Sequence, residues 1–203
     1  MIEIYLFVNP LDKASLIMEQ RLLKIISGET EKIHFRVIPF LNPRVIHNYV
    51  LDQGQSIHDL AYRNQLFNSI YSACLDYKAV QLQGKKLGTK FLFEIQKQVG
   101  FFNQNYSENL VHSILESLGA DIPLFTVDRQ SPLIEDFFKL DQQVAQEMGI
   151  ENFSDAVIFN YNCERDFGVL VSFDTPDRDI VELFKTRCAR DSFSGDDTRL
   201  HLY

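Results

Sequence analysis

The chain has 203 residues, 45% of them apolar and 24% charged, with 17 phenylalanines, which is the make-up of a folded globular protein and excludes a disordered one. Twenty Lys and Arg stand against 28 Asp and Glu, a net charge of −8, and this argues against nucleic acid as a partner because polyanions are held by basic faces that displace their counterions. No run approaches the roughly 20 apolar residues of a membrane span. Met1 leads directly into the apolar residues 1–8, with Glu3 among them and no basic stretch ahead, so the sequence predicts a cytoplasmic protein without membrane association.

Residues 2–8 are β-branched, aromatic and aliphatic almost without interruption, which predicts a strand buried on both faces and ended by Asn9-Pro10. Asp12 is placed to cap a helix in which Ala14, Ile17, Met18, Arg21, Leu22 and Ile25 recur at three- and four-residue steps before Gly28. Ile33, Phe35 and Val37 alternate with His34 and Arg36 ahead of Pro39, a second strand. From about Ser56 the period becomes helical. One helix reads to Leu82 and breaks at Gly84-Lys85-Lys86; others read over 91–99, over 108–118 to Gly119, and over 133–148 to Gly149. Strand patterns return at 156–161 and 168–173, and a closing helix opens at 174–176 and carries Ile180, Val181 and Phe184. Residues 189–203 are polar and acidic and read as a tail.

Cys74, Cys163 and Cys188 are far apart and include no Cys-x-x-Cys, so neither a disulfide framework nor a thiolate zinc site is encoded locally. They read as reduced structural thiols, Cys163 falling in the turn between the last two strands. The five histidines are dispersed without a ligand spacing, and no metal or other cofactor is expected. Gly84, Gly88, Thr89 and Lys90 do not have the order of a phosphate loop and read as a turn with solvated lysines, with an acidic partner face as the other reading of those lysines. Phe91, Phe93, Phe101, Phe102, Phe125, Phe137 and Phe138 concentrate in the helical block, where burial between helices is expected and an exposed subset would suit a protein interface.

Strand, helix and parallel strand, then a helical block, a hairpin and a closing helix: this order resembles the α/β thioredoxin-like fold with the large helical insertion of the DsbA type. On that pattern residues 1–50 and 151–188 form the thioredoxin-like domain, 51–150 the insertion and 189–203 the tail. In such a fold chemistry sits where the first helix begins, since the helix N-terminus lowers a cysteine's pKa. Here that place reads Asp12-Lys13-Ala14-Ser15, without a sulfur to attack or resolve a disulfide.

The opening IEIYLFVNPL, the segment LQGKKLGTKFL at 82–92 and DQQVAQEMGI at 141–150 together resemble the DsbA-like adaptors of the SpxH/YjbH group over roughly residues 1–187. The family's Cys-x-x-Cys falls on Asp12 and Ser15, and its cis-proline on Ser154, where a trans bond is expected because a cis bond ahead of a non-proline residue costs about 2.5–4 kcal/mol. The resemblance therefore implies the scaffold without the oxidoreductase activity, and an adaptor that binds the regulator Spx and links it to the ClpXP protease. The expected partner-binding face is Asp12, Lys13, Ser15, Phe153 and Ser154, with no catalytic, cofactor or metal residues. A second reading stays open: a thiol-disulfide oxidoreductase using an unconventional cysteine, or a glutathione-using transferase with Ser15 in place of the reactive sulfur.

Overall fold

Alternation along the first strand decides the layering. In the computed structural model, which describes residues 1–163, 165 and 167–185, β1 (Ile2–Val8) turns Ile2, Ile4, Leu6 and Val8 to one face, all fully buried, and Tyr5 and Phe7 to the other. It pairs in parallel with β2 (Ile33–Pro39) and antiparallel with β3 (Ala156–Asn160), and β4 (Val169–Val171) completes the order β2-β1-β3-β4. The parallel pair needs a crossover, which α1 (Lys13–Ser27) supplies, packing Met18 and Leu22 against the even-numbered residues of β1. Each large aliphatic side chain buried there contributes roughly 1.5–3 kcal/mol.

The strand is less evenly buried than its composition implies. Phe7 joins Ile38, Val157, Ala145 and Ile150 in a second, smaller core, but Glu3 and Tyr5 are only half-buried, the Tyr5 hydroxyl donating to Glu3 at 2.8 Å. The physical reason is coverage: the second core is closed by the end of α7 (Pro132–Glu147) and the residues just after it, which pack over Phe7.

The chain between β2 and β3 is helical: α2 (Pro43–Asp52), α3 (Leu60–Leu82), α4 (Lys85–Gln96) running into a π-turn at Lys97–Phe101, α5 (Glu108–Leu118), α6 (Ile122–Arg129) and α7, with α8 (Asp177–Phe184) after the sheet. The helices α2 and α6 are additions to the periodicity reading. Each starts on a side-chain cap followed by proline in its first turn, Asn42 with Pro43 and Asp121 with Pro123. Lys85 and Lys86 form the first turn of α4 and not a linking loop, because Gly84 alone, at φ 132°, makes the corner. Gly88 has a packing role instead of a phosphate-binding one: a Cβ there would lie 2.7 Å from Cγ of Gln81.

Polar side chains tie these elements together. Arg21 of α1 donates to the Phe173 carbonyl at 2.7 Å and also to Thr175 O and Asp177, holding the loop that leads into α8. Asn160 donates to the Leu183 and Phe184 carbonyls at 3.0 and 3.1 Å and so satisfies the end of that helix. Buried Asp76 of α3 receives Arg129 of α6 at 2.6 Å and the Tyr106 hydroxyl.

Glu19 is different. It is 2% exposed, its Oε2 has no hydrogen-bond partner among the described residues, and burial pushes its carboxyl up to about 7. The folded chain therefore keeps a proton that the unfolded chain has released, so Glu19's contribution is fully present below the unfolded value and is lost as pH rises through about 7. Glu19→Gln is expected to leave urea stability almost unchanged near pH 4 and to raise it by up to about 3 kcal/mol near pH 8. Equal differences at both pH values would show that Glu19 does not titrate in this way.

Candidate functional site

Three segments meet where α1 begins. β1 ends in Asn9, 1% exposed, whose Oδ1 accepts from Leu11 N at 2.9 Å and turns the chain into the helix. Asp12 is the N-cap, its Oδ2 accepting from Ser15 N at 2.9 Å and from Ser15 Oγ at 3.2 Å, while the Tyr49 hydroxyl of α2 donates to Oδ1 at 3.3 Å. Ser15 is fully buried; its Oγ accepts from Asn9 N at 3.1 Å and lies 3.2 Å from Ser154 Oγ. If Ser154 is the donor in that last contact, every group in the cluster is satisfied. Ser15 then spends its proton on Asp12 and both lone pairs on Asn9 and Ser154, which leaves no free electron pair for nucleophilic attack.

Ser154 reaches this position on a trans peptide, as expected, since no cis bond occurs among the described residues. It adopts φ 69°, a left-handed conformation that costs a residue with a Cβ about 1 kcal/mol. Its N–H donates to Phe7 O at 2.8 Å, and Phe7 N donates to Asp155 O at 2.9 Å, so residues 154 and 155 bridge onto the end of β1 just ahead of β3.

The structure thus brings Asp12, Ser15 and Ser154 together. Phe153 stands beside them, edge-on to Tyr49 at 5.7 Å and to Phe40 at 6.2 Å, on the wall of a cleft of about 320 Å³ that Asp12, Asn152, Asp155 and Phe173 also line. Lys13 does not line that cleft. It is exposed, and its Nζ lies 4.8 Å from the centroid of the Phe101 ring. Tyr49, Asp155 and Phe173 line the same cleft and are not legible in the residue pattern; Asn42-Pro43, the signal for α2, is what locates Tyr49.

The floor of the cleft is carboxylic. Burial pushes the Asp12 carboxyl up against the opposing effect of its bonds from Ser15 and Tyr49, and burial raises Asp155 to about 7. Burial first, then the charge of Asp12, raises the Tyr49 hydroxyl above its ordinary value, so it stays a donor. Cys74 is wholly buried in α3 with its thiol pushed well up by burial, the opposite of the electropositive setting that makes a thiolate. Cys163, in the β3–β4 turn, is half-buried and its thiol donates to Asn160 O at 3.3 Å; Cys188 lies outside the described residues. Among the described residues no three His, Cys, Asp or Glu side chains gather as a metal site would require. A bonded cluster of one carboxylate and two hydroxyls stands at the head of α1, with a mixed polar and aromatic cleft beside it.

Asp12→Ala removes the cap and strands the Tyr49 hydroxyl, so a loss of about 1–2 kcal/mol in urea stability is expected, with Asp12→Asn losing less. A wild-type midpoint for the alanine variant would mean that the cap carries no weight.

A family model described as thioredoxin matches residues 5–181. The chain is 30% identical over 161 residues to the ClpXP adapter protein SpxH of Staphylococcus saprophyticus, covering 78% of this chain and 56% of that one. It is 28% identical over 199 residues to SpxH of Shouchella clausii, covering 91% and 66%. The chain therefore spans less than two thirds of the length of these relatives. The crystal structure of the oxidoreductase DsbA from Xylella fastidiosa superposes with a TM-score of 0.61 at 10% identity, over 90% of this chain and 84% of that one, so the fold is thioredoxin-like and of the DsbA type.

Proposed function

This chain belongs to the thioredoxin family, and we propose that within it the protein is a redox-inactive, DsbA-like adaptor that binds the regulator Spx and links it to ClpXP proteolysis in the cytoplasm. The observation that carries the reading is the bonded cluster of Asp12, Ser15 and Ser154 at the start of α1, where the family resemblance puts the Cys-x-x-Cys. Disulfide exchange needs a thiolate at that helix end, and a serine hydroxyl does not replace one. The scaffold around it is intact, and the relatives named for adaptor work at ClpXP support a binding role for it.

Asp12, Ser15 and Ser154 are buried, so on this reading they shape the face while Phe153, Asn152 and Phe173 on its rim meet the partner. Lys13 would contribute from the flank, next to Phe101. The transferase alternative asks the N-terminus of α1 to hold an anionic thiolate, and the Asp12 carboxylate already stands at that end.

Calorimetric titration of Spx into the protein tests the assignment, in reducing buffer and again after oxidant. Saturable binding of similar affinity is expected in both buffers, and Phe173→Asp, at a residue 38% exposed, is expected to weaken it about tenfold or more by placing a charge on the aromatic rim. Absence of saturation in either buffer would remove Spx as the partner, and unchanged binding by the variant would move the interface elsewhere. Turnover of insulin disulfides would overturn redox inactivity.

A further inference from the structure

The lysines of α4 have no part in the cleft, yet they are not scattered. Lys86, Lys90, Phe93 and Lys97 recur at steps of four, three and four, which places them on one side of the helix, opposite the buried Gly88, Phe91, Leu92 and Ile95. Lys86 and Lys90 are exposed and Phe93 and Lys97 half-buried. The line continues into the π-turn, a helical defect of the kind that often marks functional sites, where Phe101 is 41% and Phe102 60% exposed.

The turn is held in place by backbone contact. A Cβ on Gly100 would lie 2.8 Å from Lys13 N and 3.2 Å from the carbonyl carbon of Asp12, so only glycine lets the turn seat on the first residue of α1. That seating brings Lys13 to 4.8 Å from the Phe101 ring centroid, while Lys97 lies 6.0 Å from Phe93 and 5.9 Å from Phe102. The result is a ridge in which Lys13 and Lys97 stand over three rings, Phe101 and Phe102 exposed and Phe93 half-buried.

Residues 85–101 hold four lysines and a single acid, Glu94, in a chain whose net charge is −8. Glu94 pairs with Lys97 at 3.7 Å, and among the described residues neither Lys86 nor Lys90 has an ion pair of 4 Å or less. A local excess of positive charge interleaved with half-exposed rings has a defined complement: carboxylates for the lysines and an apolar side chain for the rings.

We propose that this ridge, Lys86, Lys90, Phe93, Lys97, Phe101 and Phe102 with Lys13 at its end, is a docking surface for an acidic protein segment carrying an aromatic or aliphatic anchor. Nucleic acid also pairs phosphates with lysines and stacks bases on rings. The net charge of −8 disfavours a long polyanion, which would extend beyond these few lysines, and so favours a short peptide segment. The surface lies outside the cleft, and the inference stands whether or not the cleft binds Spx.

The probe is a fluorescein-labelled synthetic peptide of Asp-Glu pairs interrupted by Phe and Leu, with a single-stranded oligothymidine and a lysine-rich peptide as comparators, each titrated into the full chain and followed by anisotropy. Saturable binding of the acidic peptide is expected, weakening as salt rises. K86E/K90E/K97E is expected to reduce its affinity about tenfold or more and F101A/F102A to reduce it at all salt concentrations, while Phe173→Asp in the cleft leaves it unchanged. Unchanged thermal unfolding of the two ridge variants establishes that the loss is local, since all five positions are exposed or half-buried. No binding of the acidic peptide, or binding indifferent to the charge reversal, overturns the proposal. Preference for oligothymidine overturns it in favour of nucleic acid. Loss of Spx binding by cleft variants with peptide binding intact is a separate result that bears only on the adaptor reading.

Discussion

The hydroxyl of Ser15 joins three parts of the chain that are remote in sequence. It accepts from the last residue of the β1 exit, donates to the carboxylate that caps α1, and meets the hydroxyl that precedes β3. All of this happens at a fully buried position, where an unmet polar group costs roughly 1–3 kcal/mol, so the three segments are held in one arrangement or penalised together. The left-handed backbone of Ser154 is tolerated because that cluster and the bond from its N–H to Phe7 O over-determine it.

From that junction the architecture divides into a well-covered and a thinly covered side. On one face of the sheet the even residues of β1 meet α1 and the helical block in a continuous core. On the other, the end of α7 covers Phe7 and leaves the start of the strand to Tyr5, Glu3 and Phe159, whose rings pack edge-on at 6.0 Å between Tyr5 and Phe159. The buried carboxyls follow the same division of roles. Asp12 and Asp76 receive charged or hydroxyl donors, whereas Glu19 lies in the core with an oxygen unpartnered among the described residues, and burial pushes its carboxyl up.

Much of this was legible from residue pattern where the signal is local. The strand 2–8, the cap at Asp12, the stops at Gly28, Gly119 and Gly149 and the return of strands after 155 each depend on a few neighbouring residues, and each appears within a residue or two of its expected place. The helices α2 and α6 are short, and their cap and proline signals at Asn42-Pro43 and Asp121-Ile122-Pro123 mark them in the sequence. Missing α2 also meant missing Tyr49, the hydroxyl that completes the Asp12 cluster. The phenylalanines split: Phe91, Phe125 and Phe138 are buried as composition suggests, and Phe101 and Phe102 are exposed because the π-turn carries them out of the helical stripe.

The sequence by itself determined that no thiol stands at the head of α1, since that is a matter of residue identity at positions 12–15, and it determined the order of the strands and of every helix except α2 and α6, since periodicity and caps act over a few residues. Only the tertiary structure decided that Asp12, Ser15 and Ser154 form one bonded cluster, that Lys13 leaves the cleft for the Phe101 ring, and that Gly100 seats the turn on α1. Those outcomes depend on contacts between residues up to 139 positions apart, where packing and the demand to satisfy buried polar groups act and local propensity does not.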